Sequence, residues 1–215
     1  MIKKLLIFTM CFVLLLLPAC TDEEAPLSDE VKAPVTEQPE ETGKTLIAYF
    51  SRGDENIGVG VIEKGNTCKI AELIAEQVEA DMFEIKRTEP YPKTYDECVA
   101  EAKKEQEENA RPKLTETIDN FDKYDTLYLG YPIWWNDLPM AVYTFLENYD
   151  FNGKTIIPFC THEGSGLADT VESIKSAAEG AEVLEGFEIR GSVAQNDSET
   201  SRKKVTEWLN KNQGE

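Results

Sequence analysis

The sequence predicts an α/β domain over residues 45–213, built on a five-stranded parallel sheet with helices on both faces. Two observations carry this. Short apolar runs that read as buried strands recur along the chain, and between them lie longer segments with apolar residues at helical spacing. Strands and helices alternate throughout, an order that packs as a parallel sheet covered on both sides.

The elements follow in order. Residues 45–50, Thr-Leu-Ile-Ala-Tyr-Phe, form the first strand, and a glycine-containing loop follows. Residues 67–78 place Ile70, Leu73, Ile74 and Val78 on one helical face. Residues 81–86, with Met82, Phe83 and Ile85, give the second strand. Residues 95–110 form a charged helix that Arg111-Pro112 ends, and its stretch from Glu101 to Glu108 is a solvated face. The third strand spans residues 126–131, with Pro132 as its stop, and residues 140–148 are helical. The fourth strand spans residues 155–159 and a helix covers residues 167–178. Residues 183–189 make a fifth strand, broken by Gly186. Residues 199–212 close the domain with a helix carrying Val205, Trp208 and Leu209.

The 215 residues suffice for one such domain plus extra segments, and a hydrophobic content of 41% supports a real core. The formal net charge of −19 argues against nucleic acid, whose phosphates would be repelled, and against electrostatic docking on an anionic membrane. It is compatible with a basic protein partner or with solubility alone.

The extra segments precede the domain. Lys3 and Lys4 are followed by 13 almost wholly apolar residues, 5–17. As a helix these would reach only about two-thirds of a hydrocarbon core of roughly 30 Å, which suits a signal peptide better than a stable span. Leu17-Pro18-Ala19-Cys20 then resembles the lipobox of bacterial lipoproteins, which implies a signal over residues 1–19 and acylation of Cys20. An ordinary secretory signal or an uncleaved anchor is the alternative. Removing residues 1–19 would take away two lysines and no acids, moving the net charge from −19 to −21. Residues 21–44 contain eight acids, three prolines and no aromatic residue, and cannot bury enough apolar area to offset the entropy of ordering. Residues 20–44 are therefore expected to be an acidic flexible tether. The expected location is outside the cytoplasm, with the membrane reached by the lipid anchor only.

Cys68, Cys98 and Cys160 remain within the domain, widely spaced, so a disulfide framework is not expected. With a single histidine and no C-x-x-C, the sequence offers no metal site. Cys68 sits at a helix start, where a thiol pKa can fall. The plainer reading of Cys68 is a small buried residue, and of Cys160 a core residue at a strand end.

Ligands of doubly wound sheets bind beyond the carboxyl ends of the strands, where strand order reverses. This points to three loops. In the first, Ser51 and Gly65-Asn66-Thr67 bring hydroxyl and amide groups to a helix start, a setting suited to a phosphate monoester. Asn66 or Thr67 acting only as a helix cap is the alternative. The second is Gly130-Tyr-Pro-Ile-Trp-Trp135, where Pro132, Ile133, Trp134 and Trp135 could wall a flat heterocycle. Alternatively, one tryptophan packs in the core and the other covers a helix end. The third runs through Thr161, His162, Glu163, Gly164 and Ser165 to Gly166, and could offer backbone N–H groups to the polar edge of a ring. His162 is a candidate for proton transfer, with hydrogen bonding inside the loop as the alternative.

Together the three loops resemble those of the flavodoxin-like superfamily. The first loop, Ala48-Tyr-Phe-Ser-Arg52 completed by Gly65-Asn-Thr67, departs from the compact pattern by an insertion over residues 53–64, which leaves open whether Arg52, Lys64 or inserted residues reach the ligand. The resemblance covers residues 45–213. It implies a three-layer sandwich with strand order 2-1-3-4-5 and bound flavin mononucleotide (FMN). By the same resemblance Ser51, Gly65, Asn66 and Thr67 hold the phosphate, Pro132 to Trp135 cover the ring, and Thr161 to Ser165 contact its polar edge. The implied function is electron transfer or FMN-dependent reduction, with a redox partner protein or a small-molecule donor or acceptor. An NAD(P)H- or quinone-linked oxidoreductase is one form of this. No second dinucleotide fingerprint is present, so NAD(P) held as a separate cofactor is not expected. The alternative class is a non-catalytic ligand-binding lipoprotein module on the same fold.

Overall fold

The computed structural model describes residues 43–212. The proposed signal, Cys20 and all but the end of the acidic tether lie outside the described residues. No helix among the described residues is long and apolar enough to cross a membrane.

The central sheet is parallel throughout. Strand β1 (Lys44–Tyr49) pairs with β4 (Asp81–Glu84) on one side and with β5 (Tyr124–Pro132) on the other. Next to β5 lies β6 (Thr155–His162), and beyond it β7 (Glu182–Val183) and β8 (Phe187–Arg190) both pair with β6. Counting β7 and β8 as one interrupted strand gives the order 2-1-3-4-5. The interruption falls at residues 184–186, where Gly186 lies so close to its neighbours that a Cβ there would be 2.9 Å from Leu167 Cδ2 and 3.3 Å from the Pro158 carbonyl.

Period-two alternation sends β1 side chains to two separate cores. Leu46, Ala48 and Phe50 join Ala141, Val142 and Phe145 of α3 (Met140–Glu147) and Ile174 of α4 (Thr170–Ala177). Ile47 and Tyr49 join Ile70, Ala71 and Ile74 of α1 (Asn66–Ala75) and Val205, Trp208 and Leu209 of α6 (Ser198–Asn212). Each such fully buried aliphatic or aromatic side chain contributes about 1.5–3 kcal/mol.

Several boundaries differ from expectation for local reasons. Helix α2 (Tyr95–Glu107) stops short of Ala110 because Asn109 takes a left-handed φ of 49°. Helix α4 begins at Thr170 and not Leu167, since Ala168 is also left-handed at 49° and the Thr170 hydroxyl donates to the Leu167 carbonyl at 2.5 Å. Strand β6 continues through polar Thr161 and His162, past the expected end at Phe159, because β5 and β8 flank it: Thr161 pairs with both Pro132 and Ile189. Two features have no counterpart in the sequence reading. The insertion folds as an antiparallel hairpin of β2 (Asp54–Asn56) and β3 (Gly60–Ile62), and a short helix α5 (Gly191–Asn196) follows β8.

Gly130 in β5 marks where the sheet is tightest, since a Cβ there would collide with the Phe159 ring on β6. Gly130→Ala is expected to cost about 1–3 kcal/mol through overpacking. Urea unfolding measures this directly, and a midpoint equal to that of the parent would contradict the packing described.

Candidate functional site

From β1 the chain crosses to β4 on one side, then returns to β5 on the other. The reversal leaves a crevice at the carboxyl ends of β1 and β5. A cleft of about 260 Å³ opens there, lined by residues from the loops after β1, β5 and β6 and from α2.

The first loop is jammed against the start of α1. Gly65 is the N-cap residue in extended conformation, and a Cβ on it would collide with Ser51 Oγ and the Arg52 carbonyl. Ser51 Oγ accepts the Cys68 N–H at 3.0 Å, satisfying one of the four N–H groups that a helix start leaves unpaired. Thr67 is buried, and its hydroxyl shares a 2.8 Å hydrogen bond with the Thr161 hydroxyl, tying the first loop to the third. Asn66 lines the cleft, and its Oδ1 is buried without a hydrogen-bond partner. A Cβ on Gly191, at the start of α5, would collide with the Asn66 amide, so that glycine sets how close α5 comes.

Arg52 lines the cleft but acts as a brace for the insertion. Its guanidinium donates to the carbonyls of Glu55 at 2.6 Å, Pro92 at 2.6 Å and Lys93 at 2.8 Å. Glu55 completes the joint, since its carboxylate accepts the Tyr95 N–H at 2.9 Å at the start of α2. The hairpin is thereby fastened to α2, and Asn56 and Ile57 form one side of the cleft while Tyr95, Cys98, Val99 and Ala102 form another. Lys64 pairs with Glu72 at 2.5 Å and is not among the lining residues.

Both tryptophans line the cleft and each also has a packing role. Trp134 meets Phe50 and Tyr91 edge to face, with centroids 5.3 and 4.8 Å apart. Trp135 and Asn136 are the central residues of a tight turn closed by reciprocal bonds between Trp134 and Asp137, with φ values of 51° and 61°. A left-handed tryptophan stores about 1–3 kcal/mol of strain. The strain holds the indole against α2, where Nε1 donates to the Val99 carbonyl at 3.2 Å while the ring stays 46% exposed. Asp137 anchors the turn by accepting the Leu138 N–H at 2.8 Å, the Tyr143 hydroxyl at 2.8 Å and the Ser173 hydroxyl at 3.0 Å.

In the third loop Thr161, His162 and Glu163 line the cleft, whereas Gly164 and Ser165 do not. His162 has both ring nitrogens occupied. Nδ1 accepts the Gly164 N–H at 2.8 Å and the Gly166 N–H at 3.2 Å, and Nε2 contacts the Glu188 carboxylate. Glu163 accepts the Ser192 N–H at 2.7 Å and the Ser192 hydroxyl at 3.1 Å, fastening α5 to the loop.

The structure thus brings Asn66, Pro132, Ile133, Trp134, Trp135, Thr161, His162 and Glu163 to one cleft, with Ser51, Gly65 and Thr67 packed behind Asn66 and Thr161 and not among the lining residues. Sequence reasoning missed the α2 wall. Its signal was present as Cys98, Val99 and Ala102, small apolar residues on one stripe of an otherwise charged helix. The thiols are not activated. Half-burial raises the Cys68 pKa despite its place at a helix start, and burial pushes Cys98 up to about 11 and raises Cys160.

A doubly wound α/β domain with a ligand cleft at its switch point and a polar cradle at its first crossover is the class these features define. The flavodoxin family model matches residues 44–212, and the chain belongs to that family. A flavoprotein candidate from Bacteroides uniformis is 31% identical, with 79% of this chain and 99% of that chain covered and a TM-score of 0.63. One from Bacteroides eggerthii is 26% identical, covering 79% and 97%, with a TM-score of 0.62. A Lactobacillus acidophilus flavoprotein solved in complex with FMN shares the fold at 22% identity, covering 74% and 100%, with a TM-score of 0.54. No curated protein matches the chain in sequence.

The Arg52 brace is open to test. Arg52→Ala leaves the Glu55, Pro92 and Lys93 carbonyls without their charged donor. Amide exchange over residues 55–62 and at Tyr95 is expected to quicken by about tenfold, with β5 and β6 unchanged. Exchange that stays at the parent rate in the hairpin would mean that the brace does not hold it.

Proposed function

We propose that this chain binds FMN in the switch-point cleft and passes electrons through it, on the outer face of the cytoplasmic membrane. The observation that carries the reading is the convergence on one cleft of Asn66 at a helix start with its unpartnered amide oxygen, Thr161 and a tryptophan pair, with Ser51 and Thr67 bonded behind them. The residues present fit the group. Backbone N–H groups at the start of α1 suit a phosphate, with the helix dipole supplying the field. The Asn66 Oδ1 lacks a donor, which a sugar-alcohol hydroxyl supplies; alternatively the amide turns over and donates to phosphate. Ser51, Gly65, Asn66 and Thr67 would hold the phosphate, Pro132, Ile133, Trp134 and Trp135 would flank the ring, and the loop from Thr161 to Ser165 would meet its polar edge.

Bound FMN would supply the redox chemistry. The chain's own residues bind and orient the ring and exclude water from one side through Trp134, which packs on Phe50 and Tyr91. The donor and acceptor are a redox partner protein or a small molecule, met outside the cytoplasm. The lipobox-like Leu17-Pro18-Ala19-Cys20 and the acidic segment after it support a lipid-anchored location.

Residues 21–215 expressed alone should be yellow, or should quench the fluorescence of added FMN. Ser51→Ala should weaken FMN binding by about tenfold while costing about 1 kcal/mol of stability through the lost bond to the Cys68 N–H. A colourless protein that leaves FMN fluorescence unchanged sinks the proposal. Turnover of NAD(P)H with quinones by the loaded protein assigns it as a reductase, and none assigns it as a carrier. Palmitate incorporation into the full chain that is lost in Cys20→Ala supports the anchor; equal labelling of both counts against it.

A further inference from the structure

Two backbone N–H groups of the third loop converge on one lone pair. His162 ends β6 opposite Arg190 of β8, and its side chain is only 6% exposed. Its Nδ1 receives two backbone N–H groups, from Gly164 at 2.8 Å and Gly166 at 3.2 Å. A nitrogen that accepts two donors carries no proton, so the ring is the neutral tautomer with its proton on Nε2, donated to Glu188. Gly164 and Gly166 have φ values of 146° and 61°, so the loop follows a path open only to such residues, and the imidazole is its internal support.

What this support holds reaches the cleft. Glu163, between His162 and Gly164, lines the cleft and grips Ser192 of α5 by two hydrogen bonds. Gly191, next to Ser192, abuts the Asn66 amide. The loop, α5 and the phosphate end are therefore coupled through consecutive contacts. The charged group in contact with the ring is Glu188 of β8; nearby, Arg190 of β8 and Glu163 of the loop contact each other, while Arg52 is occupied with carbonyls. Arg190 donates to the Glu163 carbonyl at 3.1 Å and lies 4.0 Å from its carboxylate.

We propose that His162 is a positioning residue that works as a proton-operated clasp on the third loop. Neutral, it holds Gly164 and Gly166 in place and with them Glu163 at the cleft wall. A proton from solvent bonds to Nδ1 and converts the shared acceptor into a third donor facing two N–H groups. The Gly164 and Gly166 bonds break, Glu188 retains the imidazolium through Nε2, and the loop opens. This rests on the FMN reading above for what the loop meets, but not for the clasp itself.

His162 is the only histidine in the chain, so ring-labelled ¹⁵N-histidine gives one assignable signal. At pH 8 the proton should be on Nε2 alone. On acidification to pH 5 the ring should become doubly protonated, and the Gly164 and Gly166 amides should lose protection by about tenfold in step with it. FMN affinity should fall over the same interval. His162→Asn places a non-titrating acceptor where Nδ1 stood, so its affinity should change only as far as the ligand's own phosphate titration dictates. A proton on Nδ1 at pH 8, a ring that stays neutral at pH 5, or glycine amides indifferent to its protonation would each overturn the clasp. So would a His162→Asn variant with the parent's pH dependence. Failure of FMN to bind at any pH would remove the cofactor reading alone, because the ring and amide signals still decide the clasp.

Discussion

The burial of β1 on both faces and along both edges is the constraint from which the rest of this structure follows. A strand so placed must present apolar side chains to two cores and pair its backbone to left and right. Because β4 and β5 take those two edges, the crossovers that follow β1 leave in opposite directions, and no connection fills the space above the strand ends. The cleft is a product of topology before any side chain contributes chemistry. The residues around it then need only be polar or aromatic at the right positions, since the sheet supplies the rigidity.

The insertion changes the character of this cleft without touching the sheet. A hairpin of two three-residue strands is too small to be stable alone. It persists because Arg52 and Glu55 anchor it to backbone groups at the start of α2. The same joint turns α2 into a wall, so one charged side chain at the exit of β1 shapes two sides of the site. Trp135, which packs on the same helix, is held in a left-handed conformation by the Asp137 network, and the strain is offset by hydrogen bonds to Asp137 from Leu138, α3 and α4. Parts of the rim are thus set by polar contacts that lie outside the two apolar cores.

Much of this was legible in the sequence, for physical reasons. Strands buried on both faces leave continuous apolar runs such as residues 45–50 and 155–159, and helices leave stripes such as Ile70, Leu73 and Ile74. Glycine at position 65 beside Asn66 and Thr67 signals a close approach because so few residues fit. The hairpin was illegible because its stability derives from Arg52 reaching carbonyls some forty residues away. The polar end of β6 was missed because its neighbours in the sheet, and not its own side chains, keep it extended. Helix α5 escaped notice for a similar reason: its first turn is tied down by Glu163, from another loop. The sequence leaves Trp134 and Trp135 open as wall or as packing; the geometry gives each both roles.

The pairing of β1 with β5 also governs the order in which the chain can acquire structure. Ile47 faces Tyr128, a separation on the order of eighty residues, while its other neighbour, Met82, lies less than half as far along the chain. A folding chain can therefore seat β4 and α1 against β1 early, but one edge of this apolar strand stays open until β5 has docked. Closing so long a loop is slow, and an unpaired apolar edge is the feature most apt to find the wrong partner in the interval. For this molecule the hazardous interval is the one between the docking of β4 on its first strand and the arrival of β5.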